Sequence, residues 1–485
     1  MACGRRLLRV RHSTAAATRR AVASRVTRYI RLEPASRFER AIRLPASIVT
    51  TPLALRRRHQ PVGLFGTAAS LAIVAVATLR PQPGQRVGES LCVACGPLGG
   101  VDAVLNVLLF IPLGASLALL AWRARHAILG IAALSAAIEL IQLFVITGRD
   151  ASLGDLLMNV AGGAIGFAVI HRAPQLLLPQ PRTARLLALA WAGLWIGLQA
   201  AVAYALVPAL PTSTYHGQLG RYFAGGERFP GRVVAASIGE QPIADGRLPN
   251  SKVVARALGA GRSALRATVL TGPPTRSPAP IVRVADEEQR EIALLAQRGS
   301  AVVFAVRAGA ATLRLRPPMF LLDAALPAAR TGALSDDTVM ISARQDRDGA
   351  SIEVRSKTAS RQQRFSRDLG YGWTLVLPFQ WYISATPIER ALAVLWMAVT
   401  LTPLGYWVRR AQRRDAGARP FETIACLTVT PLVVLAGVVA VPRLFGLPPS
   451  PLHVWLAVGA GLMFGAVLAS AVARGARRPA PAASG

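Results

Sequence analysis

The apolar residues of this chain are gathered into eight blocks, and a single long stretch of ordinary composition interrupts them. A run of about 18 or more residues with few charges is long enough to cross ~30 Å of hydrocarbon as a helix. The blocks are Val62–Thr78, Val101–Trp122, Ala127–Ile146, Leu153–Ile170, Ala184–Leu210, Pro387–Val408, Phe421–Val441 and Leu452–Val472. The pattern predicts an α-helical integral membrane protein of about eight transmembrane helices, with one water-exposed insert. Leu153–Ile170 is short and glycine-rich, with Asp155 and Asn159 in its first turns.

Arginine placement orients the helices. Arg56, Arg57 and Arg58 precede the first block, Arg123 and Arg125 follow the second, and Arg172, Arg182 and Arg185 follow the fourth. Arg409, Arg410, Arg413 and Arg414 follow the sixth, and Arg474, Arg477 and Arg478 the eighth. The alternate loops hold only Arg80, Arg86, Arg149 and Arg443. Positive loops stay in the cytoplasm, so both termini are expected there, in a cell inner membrane. The formal net charge of +32 is largely explained this way. A nucleic-acid partner is not expected, since no basic patch interleaved with aromatics is present.

The expected organisation is a basic cytoplasmic tail (1–60), a four-helix membrane bundle (61–172), a fifth transmembrane helix (183–210), an extracytoplasmic domain (211–386), three C-terminal helices (387–473) and a cytoplasmic tail (474–485). No internal repeat stands out. Within 211–386, Ser263–Thr271, Ile281–Val284, Ile292–Gln297, Ala301–Val306, Ala311–Leu315, Val339–Arg344 and Ser351–Val354 read as short strands. Gly272-Pro273-Pro274, Gly299-Ser300 and Asp346–Gly349 are turn signals, and Thr271–Pro280 reads as a loop or an edge. The domain is therefore expected to be an inserted all-β sandwich. Trp373 and Trp381 are expected to anchor the return to the membrane.

Polar groups inside lipid are costly and are functional candidates by default. Ser135, Glu139 and Gln142 share one helical face, as do Asp155, Asn159 and Gly163. The alternating topology brings Asn106, Glu139, Gln142, Arg149, Asp155 and Asn159 to one depth near the outer boundary, as a candidate polar pocket. Each has a plainer reading. Glu139 could pair with Arg149 or bond to Asn106. Asp155 could serve the start of its helix. Arg149 could clamp a phosphate or carboxylate, or pair with Asp150 or lipid headgroups. Asn106, Gln142 and Asn159 could join helices. Pro112, Gly114, Gly162, Gly163 and Gly166 read as helix-packing residues.

Asn106-Val-Leu-Leu-Phe-Ile-Pro112-Leu-Gly114, then Ser135-x3-Glu139-Leu-Ile-Gln142, then Gly148-Arg149-Asp150-x4-Asp155-Leu-Leu-x-Asn159-x2-Gly162-Gly163-x2-Gly166 resembles the VanZ-like family in order and spacing. The resemblance covers about Val62–Ile170. It implies a bacterial envelope protein, and an accessory role of the glycopeptide (teicoplanin) resistance type. The stretch Leu265–Gly309 is similar in pattern to concanavalin-like and laminin-G jelly-roll modules, which implies glycan or peptide binding.

Cys92 and Cys95 form a CxxC motif in the first outer loop, readable as a disulfide, a redox pair or half of a metal site. An oxidising exterior favours the disulfide. No phosphate loop, zinc-protease helix or nucleophile elbow occurs, and neither a metal nor a cofactor is expected. The preferred function is binding or modulating an envelope component: a glycan, peptidoglycan or a lipid-linked precursor. The alternatives are an enzyme acting on such a precursor with Glu139 as general base, and a transporter. For the last, no second half matching the first is apparent.

Overall fold

The computed structural model describes residues 52–80, 96–146, 152–221, 226–327, 334–412 and 429–477. The first helices are α1 (Pro52–Thr78), α2 (Gly99–Leu119), α3 (Ala124–Phe144), α4 (Leu153–His171), the short α5 (Ala173–Leu177) and α6 (Pro181–Leu206). After the sheet domain come α9 (Pro387–Ala411), α10 (Val429–Leu444) and α11 (Leu452–Arg477). Among the described residues seven helices are long and apolar enough to cross a membrane. The eighth expected span appears as the shorter apolar α10; residues 421–428 of that expectation lie outside the described residues.

Two glycine seams organise the helices. A Cβ on Gly162 would lie 2.2 Å from the Val107 carbonyl oxygen, one on Gly166 2.0 Å from that of Ile111, and one on Gly114 1.9 Å from that of Gly163. Only glycine permits such backbone contact. Because Val107 with Gly162 and Ile111 with Gly166 advance together by four residues, α2 and α4 run parallel. The same geometry recurs between α9 and α11. There Gly461 abuts the Ala398 carbonyl, Gly465 that of Thr402, and Gly405 that of Leu462. The spacings within each helix are identical, and both α2 and α9 carry Pro-Leu-Gly, at 112–114 and at 403–405. Helices α9 and α11 thus reuse the spacing of the α2–α4 seam in parallel orientation, a likeness carried by scattered small residues in a sequence where no internal repeat stands out. Flanking composition hides the repeat, since little beyond these small residues and prolines is shared. Pro112 itself is exposed. In the second bundle Trp195 is fully buried, and Gly437 in a π-helical stretch of α10 (Ala436–Ala440) makes room for its ring.

The sheet domain holds β1 (Tyr215–Leu219), β2 (Arg232–Ile238), β3 (Gln241–Pro242), β4 (Gly246–Arg247), α7 (Ser251–Gly259), β5 (Leu265–Leu270), β6 (Thr275–Asp286), β7 (Glu291–Gly299) and β8 (Ala301–Val306). The short α8 (Gly309–Thr312), β9 (Met319–Leu322), β10 (Thr338–Asp346), β11 (Gly349–Arg355), β12 (Ser360–Ser366), a 3-10 helix (Leu369–Val376) and β13 (Tyr382–Ile383) complete it. One sheet runs β13-β9-β8-β7-β6-β1-β4 and the other β12-β11-β10-β5-β2-β3. All pairings are antiparallel except β9 with β13.

A single core contains Tyr215, Ile281, Ile292 and Phe304 of the first sheet with Ile238, Leu265, Ile341, Ile352 and Phe365 of the second. Burying period-two apolar faces against each other is what makes a sandwich. Pro278 and Pro280 fall in the half of β6 that pairs with β7 but not with β1, so their missing N–H groups interrupt no second ladder. Ala311–Leu315, expected as a strand, is instead the end of α8 and a turn. Its Gly309 fits against the Tyr204 carbonyl at the close of α6.

The turn after α8 also reaches the first bundle. The Gly100 and Val101 N–H groups at the start of α2 donate to the Arg314 carbonyl, at 3.1 and 3.3 Å. The start of α2, the end of α6 and the start of α9 therefore lie at the end of the bundle that carries the sheet domain.

Candidate functional site

Helices α3 and α4 run antiparallel, pairing Ile131 with Gly163, Ser135 with Asn159 and Glu139 with Ser152. Ser135 and Asn159 are buried, and the Asn159 Nδ2 donates to the Ser135 Oγ at 2.9 Å. The Asn159 Oδ1 is buried and has no hydrogen-bond partner among the described residues. A stranded buried amide oxygen costs about 1–3 kcal/mol, so this atom is an acceptor awaiting a donor.

Nearer the α3–α4 turn, the Ser152 Oγ caps α4 by accepting from Asp155 N at 3.2 Å. In a capping box the acid three residues on would accept from the cap's own N–H. Here Glu139, from the neighbouring helix, does so: its Oε2 accepts from Ser152 N at 2.7 Å. Its carboxylate is thereby held at the positive end of α4. Glu139 and Asp155 are both half-buried there. Asn106 is half-buried on α2, one residue before the Val107 carbonyl that touches Gly162.

The six pocket residues expected from sequence separate as follows. Glu139 and Asn159 meet Ser152 and Ser135 across the α3–α4 interface, and Asp155 is half-buried in the first turn of α4. Asn106 sits on the facing seam helix. Gln142 is buried and turned away, donating from Nε2 to the Thr78 carbonyl at the end of α1, at 2.8 Å. Replacing Gln142 by leucine should therefore lower the unfolding midpoint in detergent, through a loss of about 1 kcal/mol; an unchanged midpoint would contradict that bond. Arg149, Cys92 and Cys95 lie outside the described residues. Among the described residues no group of three or more His, Cys, Asp or Glu is placed to hold a metal.

Buried polar residues that were not anticipated include Gln345, Arg367 and Asp368 of the sheet domain and Glu389 in the first turn of α9. Only Glu389 had a signal, as the fourth residue of Thr386-Pro-Ile-Glu389 before an apolar run.

Together these features define a multi-pass helical membrane protein with an antiparallel sheet domain inserted between two of its helices. Residues 49–177, which run from α1 through α5, match the VanZ/LLP1 family model, and over that segment the chain is similar to the family. No curated protein and no solved structure matches the chain.

Proposed function

We propose that the VanZ-like bundle binds a polar component of the bacterial cell envelope at its α2–α3–α4 face. In this reading the sheet domain lies outside the cytoplasm and both termini inside, following the arginine distribution. The ligand classes that suit an outward polar site there are a glycan, peptidoglycan or a lipid-linked precursor.

One comparison carries the reading. The second seam is built with the same glycine spacing, yet Met397, Val454 and Val458 stand where Asn106, Asp155 and Asn159 stand in the first. Those three replacements are buried and apolar. The seam thus packs without polar residues at these positions, and holding polar groups in a bilayer carries a cost. Binding accounts for their presence in one copy, since the apolar seam shows that helix packing alone does not require them. The unpartnered Asn159 Oδ1 points the same way.

The test is native mass spectrometry of the full chain extracted in mild detergent. Wild type should retain a bound envelope molecule. Glu139→Gln keeps an oxygen for Ser152 N but removes the charge, and should weaken retention about tenfold or more; Asn159→Leu should do likewise. Equal retention by wild type and both variants would refute the proposal.

Transport is the second reading. The parallel repeat favours it, since such repeats build some transporters around a central site. Flux of the retained molecule into proteoliposomes separates transport from static binding.

A further inference from the structure

A cavity of about 350 Å³ lies between the sheet domain and the ends of two membrane helices. Its walls are the β10–β11 turn (Gln345, Asp346, Arg347), the segment after α7 (Arg262), Arg367 after β12, Val207 just past α6, and Phe445 just past α10.

Three observations give it a chemical character. First, Gln345 is 4% exposed, and neither its Oε1 nor its Nε2 has a hydrogen-bond partner. It lies on the inward face of β10, in line with Val339, Ile341 and Ala343, where an apolar side chain would complete the core. Second, Arg367 is also 4% exposed. Its Nη1 donates to the Leu206 carbonyl at 3.2 Å and its Nη2 to the Asp346 carbonyl, while its Nε has no partner. No carboxylate lies within ion-pair distance of it among the described residues. Burial lowers its pKa to about 10, so it stays charged at neutral pH. Burying this cation carries a desolvation cost, which the attraction of the Asp346 carboxylate offsets only in part. Third, the exposed Arg262 and Arg347 stand at the same cavity. The single acid there is already engaged. Asp346 Oδ1 accepts from Asp348 N and Gly349 N at 3.0 and 3.1 Å, and its Oδ2 pairs with Arg344 at 3.2 Å.

We propose that this cavity is an anion site for a phosphate ester bearing hydroxyl groups, independent of the VanZ-like site. Arg262, Arg347 and Arg367 supply the positive field and the charged donors. The Gln345 amide offers one donor pair and one acceptor, which suits a ligand with both phosphate oxygens and hydroxyls. Leu444, 82% exposed at the end of α10, and Phe445 lead from the apolar helix surface to the cavity. The ester can therefore arrive as the headgroup of an anionic lipid or as a soluble molecule.

The experiment titrates full-length protein in neutral detergent with short-chain phosphatidylglycerol, with glycerol phosphate, and with short-chain phosphatidylcholine, following the unfolding midpoint. Phosphatidylglycerol should raise the midpoint more than phosphatidylcholine at equal concentration. If glycerol phosphate does the same, the source is soluble; if it does not, the lipid is the source. The double variant Arg262→Ser/Arg347→Ser changes only exposed side chains and should bind about tenfold more weakly. Gln345→Leu should also weaken binding while leaving the unliganded midpoint equal or higher, because an idle buried amide is replaced by an apolar group. Glu139→Gln should bind these probes as wild type does, which separates this site from the one proposed above. The proposal is overturned if neither phosphate ester shifts the midpoint beyond phosphatidylcholine, or if the arginine double variant responds as wild type.

Discussion

Gly114→Ala will loosen the first bundle and lower the unfolding midpoint of the protein in detergent. A methyl group there would sit 1.9 Å from the Gly163 carbonyl oxygen and 2.8 Å from its Cα. Both atoms belong to backbone, so no side-chain rotation relieves the clash and one helix must move away. Overpacking of this kind costs about 1–3 kcal/mol, and more where the neighbour cannot yield. Gly405→Ala should behave alike, since its methyl would lie 2.2 Å from the Leu462 oxygen. Gly197→Ala, in the middle of α6, is the control: nothing lies within 4 Å of its added methyl. There the helical preference for alanine should leave stability equal or raise it by about 0.5–1 kcal/mol. Equal losses at all three positions would show that close helix approach is not what these glycines provide.

Glu389→Ala should cause the largest loss in the sheet-to-membrane junction. The carboxylate is fully buried and gathers four donors: Trp381 Nε1 at 3.1 Å, Ser384 N at 3.0 Å, Ser384 Oγ at 3.0 Å and Thr386 N at 3.1 Å. Thr386 returns a cap to Glu389 N at 3.3 Å, closing the capping box that starts α9. Removing the acid strands every one of these donors, at about 1–3 kcal/mol for each buried group, not fully additive. An overall loss of about 3 kcal/mol or more is expected by thermal unfolding. Thr386→Ala removes one cap and should cost only about 1 kcal/mol. A Glu389→Ala loss no greater than that of Thr386→Ala would mean the network is not cooperative.

The membrane helices were legible because apolar length is a property of the chain itself. Val62–Thr78 and Leu153–Ile170 met their helices within a few residues at each end, apart from the N-terminal extension of α1 to Pro52. Ala301–Val306 was legible for a similar reason, as a short apolar run between turn residues that became β8. Strands β2 and β12 were not: Arg232–Ile238 does not alternate cleanly between buried and exposed and Ser360–Ser366 is largely exposed, so periodicity gives little contrast. Spacing puts Ser135, Glu139 and Gln142 on one helical face, but a helical face does not say which neighbour each edge meets. Gln142 turned to α1 while Ser135 turned to α4. The second seam escaped because backbone contact leaves only scattered glycines as its trace. Gln345 and Arg367 had no local signal at all, since their burial depends on segments far apart in sequence.

The Arg314 carbonyl that receives the first N–H groups of α2 has a consequence for dissecting this molecule. A fragment ending near residue 177 would contain every helix of the family domain, yet the mouth of α2 would lose its lid and two amides would be laid bare. The segment that matches the family thus has the first turn of its second helix completed by a carbonyl of the insert.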